Sequence, residues 1–384
     1  MKKRYSVAVI GPSRRFLSGI SYFTIRLSNA LFIHADVTAV LFRNMLPAPL
    51  FPGWKRIGTD ISTQEFKEGI EVHEILDWYN PLSWVTGWRI AHRSDVIILE
   101  WWTSSVAHMY LIIELLLFKN KPVVIEFHEV VDTLEDSIWI LRVYAKVAGR
   151  LVRSLASWYV VHSEADRALV ISRYHVPPER TVIIPHGLYD QYPVIQRAVA
   201  KEKLGIREDY TILFFGLLRP YKGVKTLIEA FGLLPRGIVE QSRLLIVGEA
   251  WEDQESVLMS RESKYKDRIT VIDRYVTDDE ISIFFSAADV LVIPYTRASA
   301  SGVAHIGMAF GLPIVASSVG GLLEGLGTYS GTTFVQPQKA DDLAAALLYV
   351  ADHRQYFAPP EELRWEAVGK KWKQLLDQIE GQNP

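Results

Sequence analysis

Short apolar runs rich in valine and isoleucine alternate along the chain with longer segments of helical spacing. Strands buried on both faces are continuous apolar runs, and that is the pattern here. Strands that alternate with helices favour parallel sheets with helices on both faces, so the sequence predicts an α/β protein. The predicted strands are YSVAVIG, VTAVLF, EVHEIL, VIILEW, PVVIEFH, WYVVHS and TVIIPHG in the first half, and YTILFFG, SRLLIVG, RITVIDRY, VLVIPY, PIVAS and TTFVQP in the second.

Helix starts and apolar spacing support the same class of fold. A capping residue stands three positions before an acid at Ser163 and again at Thr277, which is the spacing of a capping box. Residues 363–379 carry apolar side chains at helical intervals and predict a final helix. The run MYLIIELLLF at 109–118 is about half of the roughly 20 residues that span a bilayer. We expect it to form a helix packed on the sheet, with a membrane-surface helix as the alternative.

The two halves of the chain look like two copies of one architecture, and 384 residues suffice for two domains. A polar segment that follows Pro185, His186 and Gly187 separates the halves. We therefore predict a first domain at 1–190, a linker at 191–209 and a second domain at 210–355. The remaining residues, 356–384, are expected to form a C-terminal helix that packs back on the first domain.

Composition excludes several function classes. A formal net charge of −2 argues against a nucleic-acid partner. The absence of cysteine excludes disulfides and thiolate chemistry, and it fits a cytoplasmic protein. The N-terminal apolar core is too short for a signal peptide. Metal-binding motifs are absent from the sequence, so we predict neither a metal site nor a cofactor.

Candidate site residues follow predicted strands, because doubly wound sheets bind ligands at the carboxyl ends of their strands. In GPSRRFLSGIS, Gly19 would let the backbone approach a substrate, or the segment is an ordinary turn. His128 ends another strand and could contact a substrate hydroxyl or transfer a proton, with a structural histidine as the alternative. For His162 and His186, which also lie near strand ends, we favour structural roles.

Two loops of the second half suit a phosphate group. FFGLLRPYKGVKTLIEAF places Arg219 and Lys222 between a strand and a helix, where two cations favour a diphosphate, although a solvated basic turn is the alternative. RASASGVAHIGMAF has small residues before a helix, whose backbone N–H groups and dipole favour an anion. A tight helix entry would be the simpler explanation. The residues of this anion loop are Ser299, Ala300, Ser301 and Gly302.

These loops resemble family 4 of the glycosyltransferases, most closely over residues 210–324. The motifs are FFGLLRPYKGVKTLIEAF, LLIVGE, DEISIFFSAADVLVIPY and GMAFGLPIVASSVGGLLE, and GPSRRFLSGIS and IEFHE extend the resemblance to the first half. The resemblance implies the GT-B fold, in which two Rossmann-like doubly wound domains face each other across a cleft. A nucleotide-sugar donor would bind mainly to the second domain and the acceptor to the first.

The resemblance also implies roles for single residues. Ser18 and Gly19 stand where the family has a glycine pair near the donor phosphates. His128 stands at the active-site histidine that contacts the transferred sugar. Lys222 matches the phosphate-binding lysine. The remaining donor-binding candidates are Gly216, Glu249, Tyr275, Val276, Arg297, Ser299, Ala300, Ser301 and Gly302.

The sequence departs from the family at three positions. The family's loop arginine is replaced by Leu217, and Arg219 is the nearest substitute. Its two flanking glutamates are replaced by Ala298 and Ile306. Arg297 and His305 are the nearby polar residues, and Glu324 matches a further glutamate of the family that is compatible with a structural role.

The expected activity is therefore transfer of a hexosyl group from a nucleotide diphosphate sugar to a hydroxyl, with retention and without a metal. The acceptor would be a glycan, a lipid-linked molecule or a small molecule, and peripheral membrane contact is compatible with a cytoplasmic enzyme. A non-catalytic GT-B partner protein and a sugar-nucleotide epimerase of related fold are the alternatives. An inverting reaction would need a base, for which Glu129 or Asp132 would be available.

Overall fold

The computed structural model of the chain describes residues 4–16, 19–44, 64–117, 120–131, 139–297 and 301–382. The chain forms two compact units. The first comprises Met1–Gly187 together with Glu362–Pro384, and the second comprises Leu188–Glu361.

The first unit is built on a parallel seven-stranded sheet with the order β3-β2-β1-β4-β5-β6-β7. Its strands are β1 Ser6–Pro12, β2 Asp36–Asn44, β3 Glu71–Asp77, β4 Val96–Trp101, β5 Val123–Phe127, β6 Trp158–Val161 and β7 Thr181–Ile183. Its helices are α1 Gly19–Leu31, α2 Pro81–Ala91, α3 Ala107–Leu117, α4 Trp139–Leu155 and α5 Glu164–Tyr174.

The second unit is built on a parallel six-stranded sheet with the order β10-β9-β8-β11-β12-β13. Its strands are β8 Tyr210–Phe215, β9 Ser242–Val247, β10 Ile269–Ile272, β11 Val290–Ile293, β12 Ile314–Ser317 and β13 Thr332–Val335. Its helices are α6 Arg197–Lys203, α7 Val224–Leu233, α8 Arg236–Glu240, α9 Gln254–Glu262, α10 Asp278–Ala287, α11 Gly302–Ala309, α12 Gly320–Gly327 and α13 Ala340–Asp352.

Both sheets reverse their strand order next to the first strand of the unit. In the first unit β1 pairs with β2 on one side and β4 on the other. In the second unit β8 pairs with β9 and β11 in the same way. The predicted α/β class with two doubly wound parallel sheets is confirmed, and the reversal is the place where such sheets bind ligands.

The last helix, α14 Trp365–Gln382, belongs to the first unit. Its side chains Trp372, Val368 and Leu375 are buried together with Val9 and Leu27 in one apolar cluster. The helix therefore covers one face of the first sheet, although it lies at the far end of the sequence.

The segment 191–209, which we expected as a linker, contributes α6 to the second unit. Arg197 and Lys201 of α6 both form ion pairs with the carboxylate of Asp289. Asp289 is buried and directly precedes β11 in the sequence. A buried carboxylate with two cationic partners holds this segment against the sheet, so it does not behave as a free connection.

Residues 109–117 of the apolar run form most of α3, whose side chains Met109, Tyr110, Ile113 and Leu117 are buried in the core. The helix is thus packed on the sheet, as expected. Among the described residues, none of the helices has the length and apolar character needed to cross a bilayer.

Candidate functional site

The loops that follow β8 and β11 lie side by side at the point where the second sheet reverses its order. Gly216 directly follows β8 with a φ of 117°, and Gly248 directly follows β9 with a φ of 143°. A Cβ atom on Gly248 would lie 2.0 Å from the Gly216 carbonyl oxygen. The positive φ favours glycine at both positions, and at Gly248 the close approach of the backbone also excludes a side chain.

The loop after β8 is fixed to the loop after β11 by direct contacts. Gly223 has a φ of 69°, and a Cβ atom there would lie 1.9 Å from the Pro294 carbonyl oxygen. The Thr296 N–H donates to the Tyr221 carbonyl at 2.8 Å. The one-turn 3-10 helix Pro220–Lys222 is thereby held against the end of β11.

Three cations lie in these two loops. The Lys222 ammonium lies 3.9 Å from the centre of the Tyr295 ring, and the Arg297 guanidinium lies 5.2 Å from the centre of the Tyr221 ring. Arg219 precedes the same turn, and its Nε has no hydrogen-bond partner within the described part of the chain. The described residues provide no ion-pair carboxylate for any of the three, so the group favours an anionic ligand.

The N-terminus of α11 faces the same loops. The Ser301 side chain caps the helix and accepts from the Ala304 N–H. Gly302 lies against Tyr189, since an added Cβ would be 3.1 Å from its ring, and Val303 lies next to Gly216. The predicted residues Ser299 and Ala300 lie outside the described residues.

The two positions where the family has glutamates can be located only in part. Ala298 lies outside the described residues, whereas Ile306 is buried in α11. His305 is also buried, and its ring centre is 6.5 Å from that of Tyr189. The second position therefore contributes to apolar packing.

The remaining donor-binding candidates lie at neighbouring strand ends. The Glu249 carbonyl accepts from the Leu218 N–H at 2.9 Å, which joins the loops after β8 and β9. Tyr275 is half-buried and Val276 is buried just before the capping box of Thr277 that starts α10. Glu324 is exposed on α12.

In the first unit, three histidines follow three adjacent strands. His128, His162 and His186 come after β5, β6 and β7, and all three rings surround Phe23 of α1. Neighbouring ring centres are 5.2 Å and 5.3 Å apart. We call these three residues the histidine cluster. The sequence placed all three near strand ends, but we gave only His128 a role at the site and favoured structural roles for His162 and His186.

Burial keeps His128 and His162 of the histidine cluster neutral near pH 7. The His162 Nδ1 hydrogen bonds to the Ile184 carbonyl at 2.9 Å, so Nδ1 carries the proton and Nε2 is left as an acceptor. Desolvation lowers the pKa of His162 to about 4. Desolvation, and then the neighbouring His162, lower the pKa of His128 well below its usual range. Neutral rings of this kind suit hydrogen bonding to a polar ligand.

Two glutamates lie under the histidine cluster, and neither was given a role on the basis of the sequence. Glu100 and Glu126 occupy paired positions of β4 and β5 and are fully buried. Glu100 accepts from the Thr24 hydroxyl at 2.6 Å, whereas both carboxyl oxygens of Glu126 have no partner among the described residues. Desolvation raises the pKa of both carboxyls well above the usual value. An acid within an apolar strand was the signal that could have found them.

Gly19, the remaining first-unit candidate, is the first residue of α1, and Ser18 lies outside the described residues. Gly11 at the end of β1 has a clear packing reason. An added Cβ there would lie 2.3 Å from a Glu100 carboxyl oxygen. This glycine therefore makes the room in which the buried carboxyl lies.

Glu126, His128 and His162 are the residues that could hold a metal. Each offers one ligand atom, and these atoms lie within 4.8 Å of one another. Ligand atoms of tetrahedral zinc, at about 2.1 Å from the ion, are roughly 3.4 Å apart. The residue types thus fit a divalent ion.

The match to a known family lies mainly in the second unit. Residues 196–372 match the family model of glycosyl transferases group 1. The D-inositol 3-phosphate glycosyltransferase of Geodermatophilus obscurus is 26% identical over 230 residues, which are 57% of this chain and 51% of that protein. The chain spans about half the length of the curated relatives it matches.

Solved structures with the same fold cover the chain almost completely. Sucrose-phosphate synthase from Thermosynechococcus elongatus has a TM-score of 0.70 and 19% identity, covering 98% of this chain and 100% of that one. Anabaena HepE in complex with UDP-glucose has a TM-score of 0.68 and 18% identity, covering 98% and 99%. The fold is that of the GT-B proteins, as predicted.

Proposed function

We propose that the chain is a member of the glycosyl transferases group 1, whose family model matches residues 196–372, and that it transfers a hexosyl group from a nucleotide diphosphate sugar to a hydroxyl acceptor. The carrying observation is the group of three cations, Arg219, Lys222 and Arg297, which lack a carboxylate partner among the described residues and lie beside the N-terminus of α11. Their place at the reversal of the second sheet is where doubly wound folds bind nucleotides.

In this proposal the cations act on the leaving diphosphate. Charge accumulates on the diphosphate as its bond to the sugar breaks, and fixed cations and helix N–H groups stabilise that charge most in the transition state. Lys222 is positioned for this role by the ring of Tyr295, and Arg219 would take the place of the arginine that Leu217 replaces. A retaining transfer on the donor's own face needs no enzymic nucleophile.

The histidine cluster is proposed to contact the transferred sugar through His128. A neutral imidazole can donate to or accept from a sugar hydroxyl without the desolvation cost of a charge. The family's two glutamates are replaced by Ala298 and Ile306, and their loss would weaken donor binding. A hydrogen bond from a sugar hydroxyl to a carboxylate is worth about 1.5–3 kcal/mol. We infer that the chemistry is retained and that the donor is held mainly by its diphosphate.

Nucleotide binding by the purified protein tests the proposal. The thermal midpoint is measured with UDP, GDP and ADP and with their sugar conjugates. One nucleotide at about 100 times its Kd should stabilise the protein by about 2.7 kcal/mol. Lys222→Ala should abolish most of that shift. Lys225→Ala is the matched control, because Lys225 lies one helical turn away and pairs with Glu255 at 3.0 Å.

The alternatives give different outcomes of that test. If no nucleotide raises the thermal midpoint of the folded protein, the hypothesis of a non-catalytic partner protein is favoured. Incubation of the protein with the sugar nucleotide that it binds, without an acceptor, distinguishes the transferase from the epimerase. A transferase slowly releases free sugar, whereas an epimerase returns a changed sugar nucleotide.

We propose that donor binding requires no metal, and that sugar hydroxyls rather than an ion satisfy Glu126, His128 and His162. A nucleotide-induced thermal shift that is unchanged after dialysis against EDTA is the expected result. A shift that is lost in EDTA and restored by Zn²⁺ would contradict this proposal.

The acceptor is proposed to be a glycan, a lipid-linked molecule or a small molecule with a free hydroxyl. The protein is proposed to work in the cytoplasm, with peripheral contact to a membrane. Support for the membrane contact comes from one helix of the first unit.

A further inference from the structure

Helix α4 exposes a row of large apolar side chains to solvent. Trp139, Val143, Val147 and Leu151 follow one another at intervals of four residues and are exposed by 70%, 51%, 55% and 45%. Ile140, exposed by 57%, widens the row. Residues four apart lie on one face of a helix, so this is a continuous stripe slightly more than three turns long. We call these five residues the apolar stripe.

The core cannot account for the apolar stripe, because a different face of α4 already packs on the first unit. Ala145, Ala148 and Val152 are buried, and the Tyr144 hydroxyl bonds to the His108 ring at 2.8 Å. The helix is therefore anchored, and its stripe points away from the residues that anchor it.

A row of cations borders the apolar stripe. Arg142, Lys146 and Arg150 also follow at intervals of four, and Arg153 continues the row. The sequence of α4, WILRVYAKVAGRLVRSL, contains four cations and no acid. A helix with an apolar face, a basic edge and little overall hydrophobicity is typical of helices that lie in the interface of a membrane.

A basic pocket opens beside the second half of α4. It has a volume of about 930 Å³ and lies between α4 and the end of α5. Lys146, Arg150 and Arg153 line it from α4, and Arg173 and Arg180 line it from the other side. Its described lining residues include five cationic side chains and no carboxylate, which suits a phosphate headgroup.

We propose that the apolar stripe and the basic row of α4 dock the protein on an anionic lipid bilayer, with a lipid phosphate entering the pocket. The positive charge of the basic row favours an anionic bilayer over a second copy of the chain as the partner of this surface. Two copies paired through this face would bring two basic rows together, whereas an anionic bilayer offers the opposite charge over the whole helix. This docking does not require the proposed sugar transfer.

Sedimentation with vesicles tests the proposal on the full chain. Vesicles of phosphatidylcholine and phosphatidylglycerol at equal amounts are compared with pure phosphatidylcholine, at low and high salt. The protein should bind the anionic vesicles, and high salt should weaken that binding because it screens surface charge. Val143→Asp with Val147→Asp should lower the partition coefficient about tenfold or more, since two apolar side chains no longer enter the bilayer.

Two further variants make the result specific. Leu258→Asp changes an equally exposed leucine of the second unit, exposed by 55%, and should leave vesicle binding unchanged. Replacing Arg142, Lys146 and Arg150 by Glu should abolish the preference for anionic vesicles. A cooperative thermal transition without nucleotide, at the wild-type midpoint, shows that each variant is folded, so the test does not depend on the proposed function.

Three outcomes would overturn the proposal. These are no binding of wild type to anionic vesicles, equal binding by wild type and the stripe variant, and a wild-type dimer in sedimentation velocity that the stripe variant dissociates. The last would assign the surface to a second copy of the chain.

Discussion

At the scale of single residues, burial shifts the pKa values of the histidines and of the glutamates under them in opposite directions. Burial disfavours the charged form of either group, so it lowers the pKa of His128 and His162 and raises that of Glu100 and Glu126. Near pH 7 the site is therefore rich in neutral groups that hydrogen-bond. That character suits a sugar better than a phosphate.

The pKa of His162 leads to a prediction about acid stability. Its folded pKa is about 4, below the unfolded value, so the unfolded chain binds more protons between these two values. Stability should then fall as pH drops from about 6.5 to 4, by up to about 1.4 kcal/mol per pH unit from this residue alone. His162→Gln should flatten the urea-midpoint profile in that window. The control is His353→Gln, which changes an exposed histidine, and equal slopes for wild type and His162→Gln would refute the assignment.

At the scale of elements, the anion site is a property of two loops rather than of one motif. The loop after β8 and the loop after β11 are joined by the Thr296 hydrogen bond and by the contact of Gly223 with Pro294. The cations therefore depend on a backbone approach that only glycine permits. A substitution that breaks the contact between Gly223 and Pro294 should therefore displace Lys222, although Lys222 itself is unchanged.

Gly223→Ala tests this dependence. A Cβ atom would overlap the Pro294 carbonyl, and a φ of 69° is unfavourable for alanine. We expect a loss of about 1–3 kcal/mol in unfolding free energy and a loss of nucleotide binding. Gly232→Ala in α7 is the control, since an added Cβ there meets no atom within 4 Å. The Gly232→Ala substitution should be neutral or stabilise the protein by up to about 1 kcal/mol. If Gly223→Ala still binds nucleotide, the cations do not depend on the contact between the two loops.

The whole molecule consists of two units with the same strand order at their centre. In both, the first strand has its second and fourth as neighbours, so each unit presents its first-strand loop at a sheet reversal. The first unit is completed by α14 from the end of the chain. Its stability should therefore depend on residues more than 300 positions away from β1.

Trp372→Ala probes that dependence. Trp372 is fully buried against the first sheet, and its truncation should cost about 3–5 kcal/mol. Hydrogen exchange should accelerate in peptides of α1 and β2 and stay unchanged in peptides of β8 and β9. Trp251→Ala, which changes a tryptophan of the second unit exposed by 40%, is the control. Faster exchange in both units would show that they do not unfold separately.

Much of this protein was determined by the sequence through local patterns. Continuous apolar runs predicted the buried parallel strands, because a strand covered on both faces has no polar side. Capping residues marked the starts of α5 and α10, because a helix N-terminus needs acceptors for its N–H groups. The loop residues Gly216, Arg219 and Lys222 could be singled out because a loop after a strand of such a sheet faces the ligand edge.

Only the tertiary structure decided which distant residues meet. The histidine cluster exists because β5, β6 and β7 are neighbours, and no local pattern carries that order. Glu100 and Glu126 are paired by register, which the two strands set together. The apolar stripe became visible once a different face of α4 was seen to be buried. Periodicity reports that a helix has an apolar face, and the packing of the whole unit determines which apolar face stays exposed.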